Sequence, residues 1–428
     1  MSIITQRRIL DSTQHLFTII NSNSFLRITI VNLKMFTFVK QKYYMNLEQL
    51  FSQYKESTIE GRYITLDTIY PILEKLNSDK QLEIIGKSVL EMPIYKFQIG
   101  TGKTKILLWS QMHGNESTTT KALIDFLNVL NGGSDFARKL LKAFTFCAIP
   151  MLNPDGAKLY TRENANKVDL NRDSKELSQP ESRVLREAFE NFEPHFCYNL
   201  HDQRTIFGVG NTGKPATMSF LAPAYNEQRE INETRLKSIN VISGINDVLQ
   251  NYIPGQVGRF DDAFNINCIG DTFQYLGVPT ILFEAGHSPN DYSREETRKY
   301  VFVSLISSFK ILNENDLVNN EIDNYLSIPQ NKVVFYDFLY KNIKINYDGI
   351  EIITNFAAQY KEELINDQIC FNAYIVHISE LDNYFGHFEF DAKGALYHDA
   401  CDNFPKLNQK ANFYLDANIR FVNGSIAI

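Results

Sequence analysis

Residues 106–116 read ILLWSQMHGNE, an apolar run that ends in a polar turn, and this stretch sets the pattern of the fold. Three further apolar runs end in the same way. They are FTFCAIPML (144–152), which leads into NPDG (153–156), HFCYNL (195–200), which leads into His201-Asp202, and PTILFE (279–284), which ends at Glu284. Short apolar runs of this kind are consistent with buried strands.

Helical patterns separate the four runs. They fill residues 118–130, 181–192, 230–249 and 294–312. Strands that alternate with helices predict an α/β domain with a mixed, largely parallel sheet flanked by helices. In such sheets ligands bind outside the carboxyl ends of the strands, so the polar residues that follow the four runs are expected to meet in one crevice.

The periodicity of the sequence changes after residue 312. We predict an α/β domain over residues 45–315, a polar linker at 313–324, and a small C-terminal β-rich domain over 325–428. Asp348-Gly349 and Asn423-Gly424 each stand between alternating apolar residues, a pattern that is typical of tight hairpins. A third hairpin is predicted around Gly100–Lys103, between the runs 95–99 and 106–109.

The first 44 residues fit neither domain. They carry six Lys or Arg residues and one acid, Asp11, and polar residues interrupt their apolar stretches. A signal peptide has one uninterrupted apolar stretch and a small-residue cleavage site. Met45 precedes an amphipathic helix with Asn46 as its N-cap, so we predict that residues 1–44 are a disordered or spurious extension. A degenerate targeting segment is the alternative.

Composition narrows the class of protein. The net charge of −7 does not indicate a nucleic-acid partner, which normally shows as a basic domain. No apolar run approaches the roughly 18 residues that span a bilayer, which predicts no membrane partner. The five cysteines are scattered without a CxxC spacing, which indicates a reducing compartment and favours a cytoplasmic protein.

Three residues from these strand ends have the chemistry of a metal site. Catalytic zinc takes three protein ligands, commonly histidine nitrogens and a carboxylate oxygen, and His113, Glu116 and His201 form such a set. The alternative is a turn histidine, a glutamate favoured by a helix N-terminus, and a core histidine. Glu284 ends an apolar run, where a carboxyl group carries a desolvation cost unless it has a partner or a catalytic role. One such role is that of a general base acting on water. An ion pair with a core arginine is the other interpretation.

Five motifs now stand in a fixed order: HGNE (113–116), NPDG (153–156), DLNRD (169–173), NLHD (199–202) and FEAG (283–286). In order and spacing they resemble the zinc metallocarboxypeptidases, the carboxypeptidase A superfamily, over about residues 80–315. The resemblance implies that one zinc ion per chain is held by His113, Glu116 and His201, and that Glu284 is the general base.

The resemblance also implies roles for the residues around the metal. Arg162 matches the arginine that polarises the scissile carbonyl and holds the developing oxyanion. Asn171 and Arg172 match the pair that grips the terminal carboxylate of the substrate. The family often has a mobile tyrosine where this chain reads GRFDD (258–262), so no tyrosine role is assigned. Asp271 is a candidate for the specificity pocket, where an acid favours basic side chains.

The sequence therefore predicts a zinc-dependent hydrolase that removes C-terminal residues from peptides. A zinc-dependent amidase or deacylase acting on N-acyl amino acids or murein peptides is the first alternative. Both act on a substrate with a free carboxylate. An inactive zinc-binding module is the third possibility, disfavoured because every residue that the chemistry needs is present.

Overall fold

A computed structural model describes residues 46–78, 80–313, 321–416 and 418–427. The chain divides into two units at residue 50, and the second, residues 51–428, is compact over its described residues. The predicted extension over residues 1–44 lies outside the described residues, as does part of the predicted linker. The boundary that we predict between residues 315 and 325 falls inside the second unit and stays a prediction.

The largest sheet has eight strands and is the frame of the α/β region. In chain order the strands are β1 (Leu82–Lys87), β2 (Pro93–Gly100), β3 (Thr104–Ser110), β4 (Phe144–Ile149), β5 (Phe196–Asp202), β7 (Met218–Leu221), β8 (Val257–Arg259) and β9 (Thr280–Ala285). A short strand, β6 (Phe207–Val209), belongs to a separate two-stranded sheet with β10 (Asn331–Val333).

The order of the strands is β1-β2-β4-β3-β5-β9-β7-β8. The four central strands β4, β3, β5 and β9 run parallel to one another, and the neighbouring strand on each side, β2 and β7, runs antiparallel to them. Every residue of β5 is buried, as expected for a central strand that helices cover on both faces. The predicted α/β class with a mixed, largely parallel sheet is confirmed.

The hairpin that we predicted around Gly100–Lys103 is wrong. Strand β2 pairs with β1 and β4, and β3 pairs with β4 and β5, so β4 lies between the two strands that were expected to pair. A turn signal reports only that the chain reverses. The space between β2 and β3 is filled by β4, which comes about 40 residues further along the chain, and a local turn signal cannot indicate this.

The helices of the described residues are α1 (Leu47–Tyr54), α2 (Leu66–Leu76), α3 (Thr118–Asn131), α4 (Asp135–Ala143), α5 (Pro154–Leu159), α6 (Pro180–Phe192), α7 (Glu233–Leu249), α8 (Ile269–Tyr275), α9 (Glu295–Asn313) and α10 (Ile322–Ser327). The bounds of α3, α6, α7 and α9 agree closely with the four helical patterns between the strands, whereas α4, α5, α8 and α10 were not predicted. Within the described residues, no helix is both long enough and apolar enough to cross a bilayer.

The C-terminal region is β-rich, as predicted. One four-stranded sheet has the order β13-β12-β11-β14, with strands β11 (Phe335–Tyr347), β12 (Ile350–Ile365), β13 (Gln368–Ser379) and β14 (Phe385–Asp391). A second contains β15 (Tyr397–His398), β16 (Phe413–Leu415), β17 (Ile419–Val422) and β18 (Ser425–Ile426). Both predicted hairpins of this region are confirmed, because Tyr347 pairs with Ile350 and Val422 with Ser425.

Aromatic side chains pack helix α8 against the sheet. The ring of Phe273 lies 5.4 Å from that of Trp109 on β3 and 4.0 Å from that of Phe189 on α6. All three side chains are buried in one apolar cluster. Helix α8 is therefore held firmly, and its first turn, which contains Asp271, is placed at the edge of a crevice.

Candidate active site

A crevice opens at the carboxyl ends of the central strands. Its volume is about 460 Å³, and both predicted histidine ligands and Glu284 line it. His201 lies near the end of β5 and is the register partner of Glu284 on the parallel strand β9. Side chains of paired residues on adjacent strands leave the same face of a sheet, so Glu284 and His201 stand side by side.

His113, Glu116 and His201 form a tight cluster of potential ligand atoms. The Nδ1 atom of His113 lies 2.8 Å from Glu116 Oε1, and the Nδ1 atom of His201 lies 2.8 Å from Glu116 Oε2 and 3.1 Å from His113 Nδ1. One ligand atom from each residue falls within 4.8 Å of the others. All three residues are buried.

This donor set fits a zinc ion. Two imidazole nitrogens and a carboxylate are ligands that zinc prefers in catalytic sites. The Nε2 atom of His113 lies 3.0 Å from Asp169 Oδ1, which orients the ring so that Nδ1 faces the cluster. A carboxylate on the far nitrogen of a histidine ligand is a recurrent support of metal sites. The sequence reasoning missed this role of Asp169, because nothing in spacing links residues 56 positions apart.

Glu116 lies just before a helix. Helix α3 begins at Thr118, as the sequence pattern predicts, with Ser117 as its N-cap. Glu116 lies in the preceding turn, where its backbone N–H donates to His113 O. Its Oε2 atom also accepts a hydrogen bond from the backbone N–H of Asp202, at 3.2 Å. The carboxylate of Glu116 therefore contacts residues at the ends of both β3 and β5.

Asp202 caps a helix. Its carboxylate accepts hydrogen bonds from the backbone N–H groups of Thr118 at 2.9 Å and Thr119 at 3.2 Å. These are unpaired donors at the N-terminus of helix α3, where negative charge is favourable. The cap joins the end of β5 to the start of α3 and so connects the segments that carry His201 and Glu116.

Electrostatics in the crevice oppose ionisation of Glu284. Burial raises the pKa of Glu284 well above its usual value, and the carboxylates of Glu116 and Asp202 raise it further. Burial also acts on Glu116, but the His113 and His201 rings outweigh it and hold the pKa of Glu116 well below its usual value. Carboxyl groups whose environments push their pKa values apart are typical of acid–base sites.

Arg162 lies beside the ligand cluster. Its guanidinium donates to Asp169 Oδ2 at 3.1 Å through Nε, and its Nη1 atom lies 3.3 Å from Glu116 Oε1 and 3.2 Å from His113 Nδ1. The side chain is 41% exposed, so part of it faces the crevice. Arg162 is thus brought to the cluster, while its part in polarising a carbonyl stays a prediction.

Asn171 and Arg172 stand in a short 3-10 helix, Leu170–Arg172, at the rim of the crevice. The side-chain oxygen of Asn171 accepts a hydrogen bond from the backbone N–H of Ile269, at 3.0 Å. This contact fixes the amide and leaves its NH₂ group as the available donor. The guanidinium of Arg172 is exposed and donates to the backbone oxygen of Asn171, at 2.7 Å.

Asp271 is buried in the wall of the crevice. Burial raises the pKa of Asp271 to about 7, despite hydrogen bonds from backbone N–H groups. At neutral pH this carboxyl group is therefore charged only part of the time, which weakens the attraction for basic side chains that the sequence suggested. No tyrosine is among the described residues that line the crevice.

Gly114, in the turn between His113 and Glu116, lies against a second backbone segment. A Cβ atom at this position would lie 1.9 Å from the carbonyl carbon of Gly156 and 2.2 Å from the backbone N of Ala157. Two backbone segments, one after β3 and one in α5, therefore touch at the turn that carries His113 and Glu116. Only a residue without a side chain permits this approach.

We expect Gly114→Ala to lower the free energy of unfolding by at least about 3 kcal/mol, since the colliding atoms are backbone and cannot rotate away. Chemical denaturation measures the change. Gly244→Ala, in helix α7, is the matched control, because its Cβ would meet the mobile Cδ1 end of Ile311. Equal stability of Gly114→Ala and the wild type would contradict the close approach.

Comparisons with known proteins bear on this geometry. Residues 69–244 match the sequence model of the family described as zinc carboxypeptidase. Over these residues the chain is similar to that family. The matched span contains His113, Glu116, Arg162 and His201, whereas Glu284 lies beyond its end.

Relatives with curated names are distant. "Probable carboxypeptidase 2" of Trichophyton verrucosum is 27% identical over 189 residues, 42% of this chain and 34% of that protein. "Gamma-D-glutamyl-L-diamino acid endopeptidase 1" of Lysinibacillus sphaericus is 34% identical over 104 residues, 22% of this chain and 24% of that protein. The chain therefore spans about a third or less of the length of these relatives.

Among solved structures, a putative carboxypeptidase A from Shewanella denitrificans has 15% sequence identity and a TM-score of 0.48, and the match covers 58% of this chain and 69% of that chain.

Proposed function

We propose that this protein is a zinc-dependent carboxypeptidase that removes residues from the C-termini of peptides. The observation that carries the proposal is the meeting of His113, Glu116 and His201 in one buried cluster, with Glu284 as the register partner of His201. The match of residues 69–244 to the zinc carboxypeptidase family supports it.

We further propose one zinc ion per chain at this cluster. A zinc ion held there would polarise a water molecule and lower its pKa, which supplies a nucleophile at neutral pH. Glu284 accepts a proton from the attacking water and then donates it to the leaving amine. Its register pairing with His201, beside the ligand cluster, supports both halves of this task.

The remaining crevice residues position the substrate. Asn171 and Arg172 bind the terminal carboxylate, through an amide NH₂ group and an exposed guanidinium, respectively. Arg162 stands next to Glu116 and donates to the oxyanion that forms as water attacks the scissile carbonyl. Recognition of the terminal carboxylate restricts the enzyme to chain ends.

An amidase that acts on murein peptides is the second candidate. It is favoured by the likeness to the Lysinibacillus sphaericus protein, whose name describes cleavage between a γ-D-glutamyl group and a diamino acid. The zinc cluster and Glu284 would serve either reaction, because both hydrolyse an amide bond. A screen that pairs ordinary peptides with γ-glutamyl peptides separates the two candidates.

A cytoplasmic location is also proposed. The five cysteines, at positions 147, 197, 268, 370 and 401, are all free. Free thiols of this number are ordinary in a reducing compartment.

Blocking the terminal carboxylate of a peptide as an amide tests the exopeptidase function. The block removes a charge-assisted contact to Arg172, and hydrogen bonds to charged groups contribute roughly 1.5–3 kcal/mol. We therefore expect kcat/KM to fall at least about tenfold for the amide. Arg172→Ala should lose as much on the free acid but little more on the amide, because the contact is already absent there.

Arg420→Ala is the control for this experiment, since Arg420 is exposed on β17 in the C-terminal region. It should cleave both peptides like the wild type. If the wild type cleaves free and blocked peptides equally well, the exopeptidase function is wrong. The amidase would then survive only if its required carboxylate lies elsewhere on the substrate.

A further inference from the structure

Arg204 is a cation of the crevice that the proposed chemistry does not use. It follows strand β5 by two residues and lines the same crevice as His201 and Arg172. The side chain is exposed, and its guanidinium has no hydrogen bond or ion pair within the part of the chain that the structure describes. Arg162, in contrast, is paired with Asp169 and Glu116.

Two acids of the crevice wall, Asp202 and Asp261, are already engaged. Asp202 accepts hydrogen bonds from two backbone N–H groups of helix α3. Asp261 accepts one from the backbone N–H of Ala263, and its other oxygen lies 3.7 Å from Arg229 Nη1. Neither carboxylate pairs with Arg204. The positive charge is thus available to a ligand that enters the crevice.

The backbone before Arg204 is fixed by buried contacts. Gln203 is buried, and its backbone oxygen accepts a hydrogen bond from Arg294 Nη2, at 2.9 Å. Its side-chain amide donates to Ala216 O at 2.6 Å and accepts from Asn331 Nδ2 at 2.9 Å. A segment held by this many contacts differs from an ordinary surface loop, which has few.

The backbone after Arg204 is fixed by the C-terminal β-rich region. His387 Nε2 donates to Thr205 O at 2.8 Å, and Gln359 Nε2 donates to Thr205 Oγ1 at 2.8 Å. The His387 ring in turn stacks on Phe335, with centroids 4.7 Å apart, and lies 4.1 Å from the ring of buried His287. The β-rich region therefore holds in place the segment that presents Arg204 to the crevice.

We propose that Arg204 binds a second carboxylate of the substrate, distinct from the terminal one, and so makes the enzyme prefer peptides with an acidic residue near the cleaved bond. The proposal rests on the proposed hydrolase function. A guanidinium binds a carboxylate with two parallel hydrogen bonds, and a fixed backbone reduces the conformational entropy lost on binding.

The crevice that Arg204 lines also has an apolar wall. The Phe207 and Phe260 rings pack edge to face with centroids 5.2 Å apart, and both line the crevice. They offer an apolar surface for the methylene part of an acidic side chain.

Matched peptides test the proposal. Each pair carries either glutamate or glutamine at one of the last three positions, and kcat/KM is measured with the zinc-loaded wild-type protein and with Arg204→Gln. At one position we expect the wild type to prefer glutamate at least about tenfold, the effect of one charged hydrogen-bonded contact. Arg204→Gln should lose that preference, and Arg204→Lys should keep part of it. Arg420→Gln, on exposed β17, should keep all of it.

Two results would overturn the proposal: a wild type without a preference for glutamate at any of the three positions, or an Arg204→Gln variant that keeps the preference. Failure of the proposed function looks different, since no peptide of the panel would then be cleaved. In that case calorimetric titration of the zinc-loaded protein with the same peptides decides, because binding needs no turnover. Tighter binding of glutamate peptides that Arg204→Gln abolishes supports the proposal, and equal binding contradicts it.

Discussion

Glu284→Gln is expected to lower kcat by about 10²–10⁴-fold, the usual contribution of a general acid–base group. The amide has nearly the shape of the carboxyl group but cannot accept the proton of the attacking water. Zinc content and melting temperature should stay close to those of the wild type, because Glu284 does not belong to the cluster of ligand atoms. The loss should therefore appear in turnover and not in folding.

Steady-state kinetics on a peptide with a free carboxylate, with metal analysis of each preparation, measures this effect. Glu227→Gln is the control, since Glu227 is an exposed residue that does not line the crevice. It removes the same charge and should keep full activity. A near-normal kcat in Glu284→Gln would assign Glu284 a structural role instead.

His201→Ala is expected to lose most of the bound zinc, from about one ion per chain in the wild type. The variant keeps only His113 and Glu116 as protein ligands, and two ligands do not form a stable catalytic zinc site. Activity should fall with the metal. Because a ligand that binds only the folded state stabilises it, added zinc should raise the melting temperature of the wild type and not that of the variant.

The matched control is His195→Ala. His195 is exposed just before the same strand, and its Nδ1 atom accepts a hydrogen bond from the backbone N–H of Lys105. Its loss should leave the zinc content at the wild-type level. Stoichiometric zinc in His201→Ala would exclude this cluster as the metal site.

Local patterns were enough to predict the α/β class, the bounds of the four longest described helices and two hairpins of the C-terminal region. Asp348-Gly349 and Asn423-Gly424 specify their turns because both residues of each pair adopt positive φ, which Asp, Asn and Gly tolerate best. The sequence also identified the four strand ends that carry polar residues. In a parallel sheet these ends share one edge, so their meeting follows from the strand pattern alone.

Tertiary structure decided what depends on residues far apart in the chain. Strand order is one case, since β4 takes the place between β2 and β3 that a hairpin was expected to fill. Two other cases are the contact of Asp169 with His113 and the hydrogen bond from His387 to Thr205. Neither pair can be recognised from the spacing of residues in the sequence. The raised pKa of Asp271 also depends on the tertiary structure, because packing around helix α8 buries its carboxyl group. Side-chain periodicity reports which face of an element is buried, but the partner on that face is selected by the whole fold.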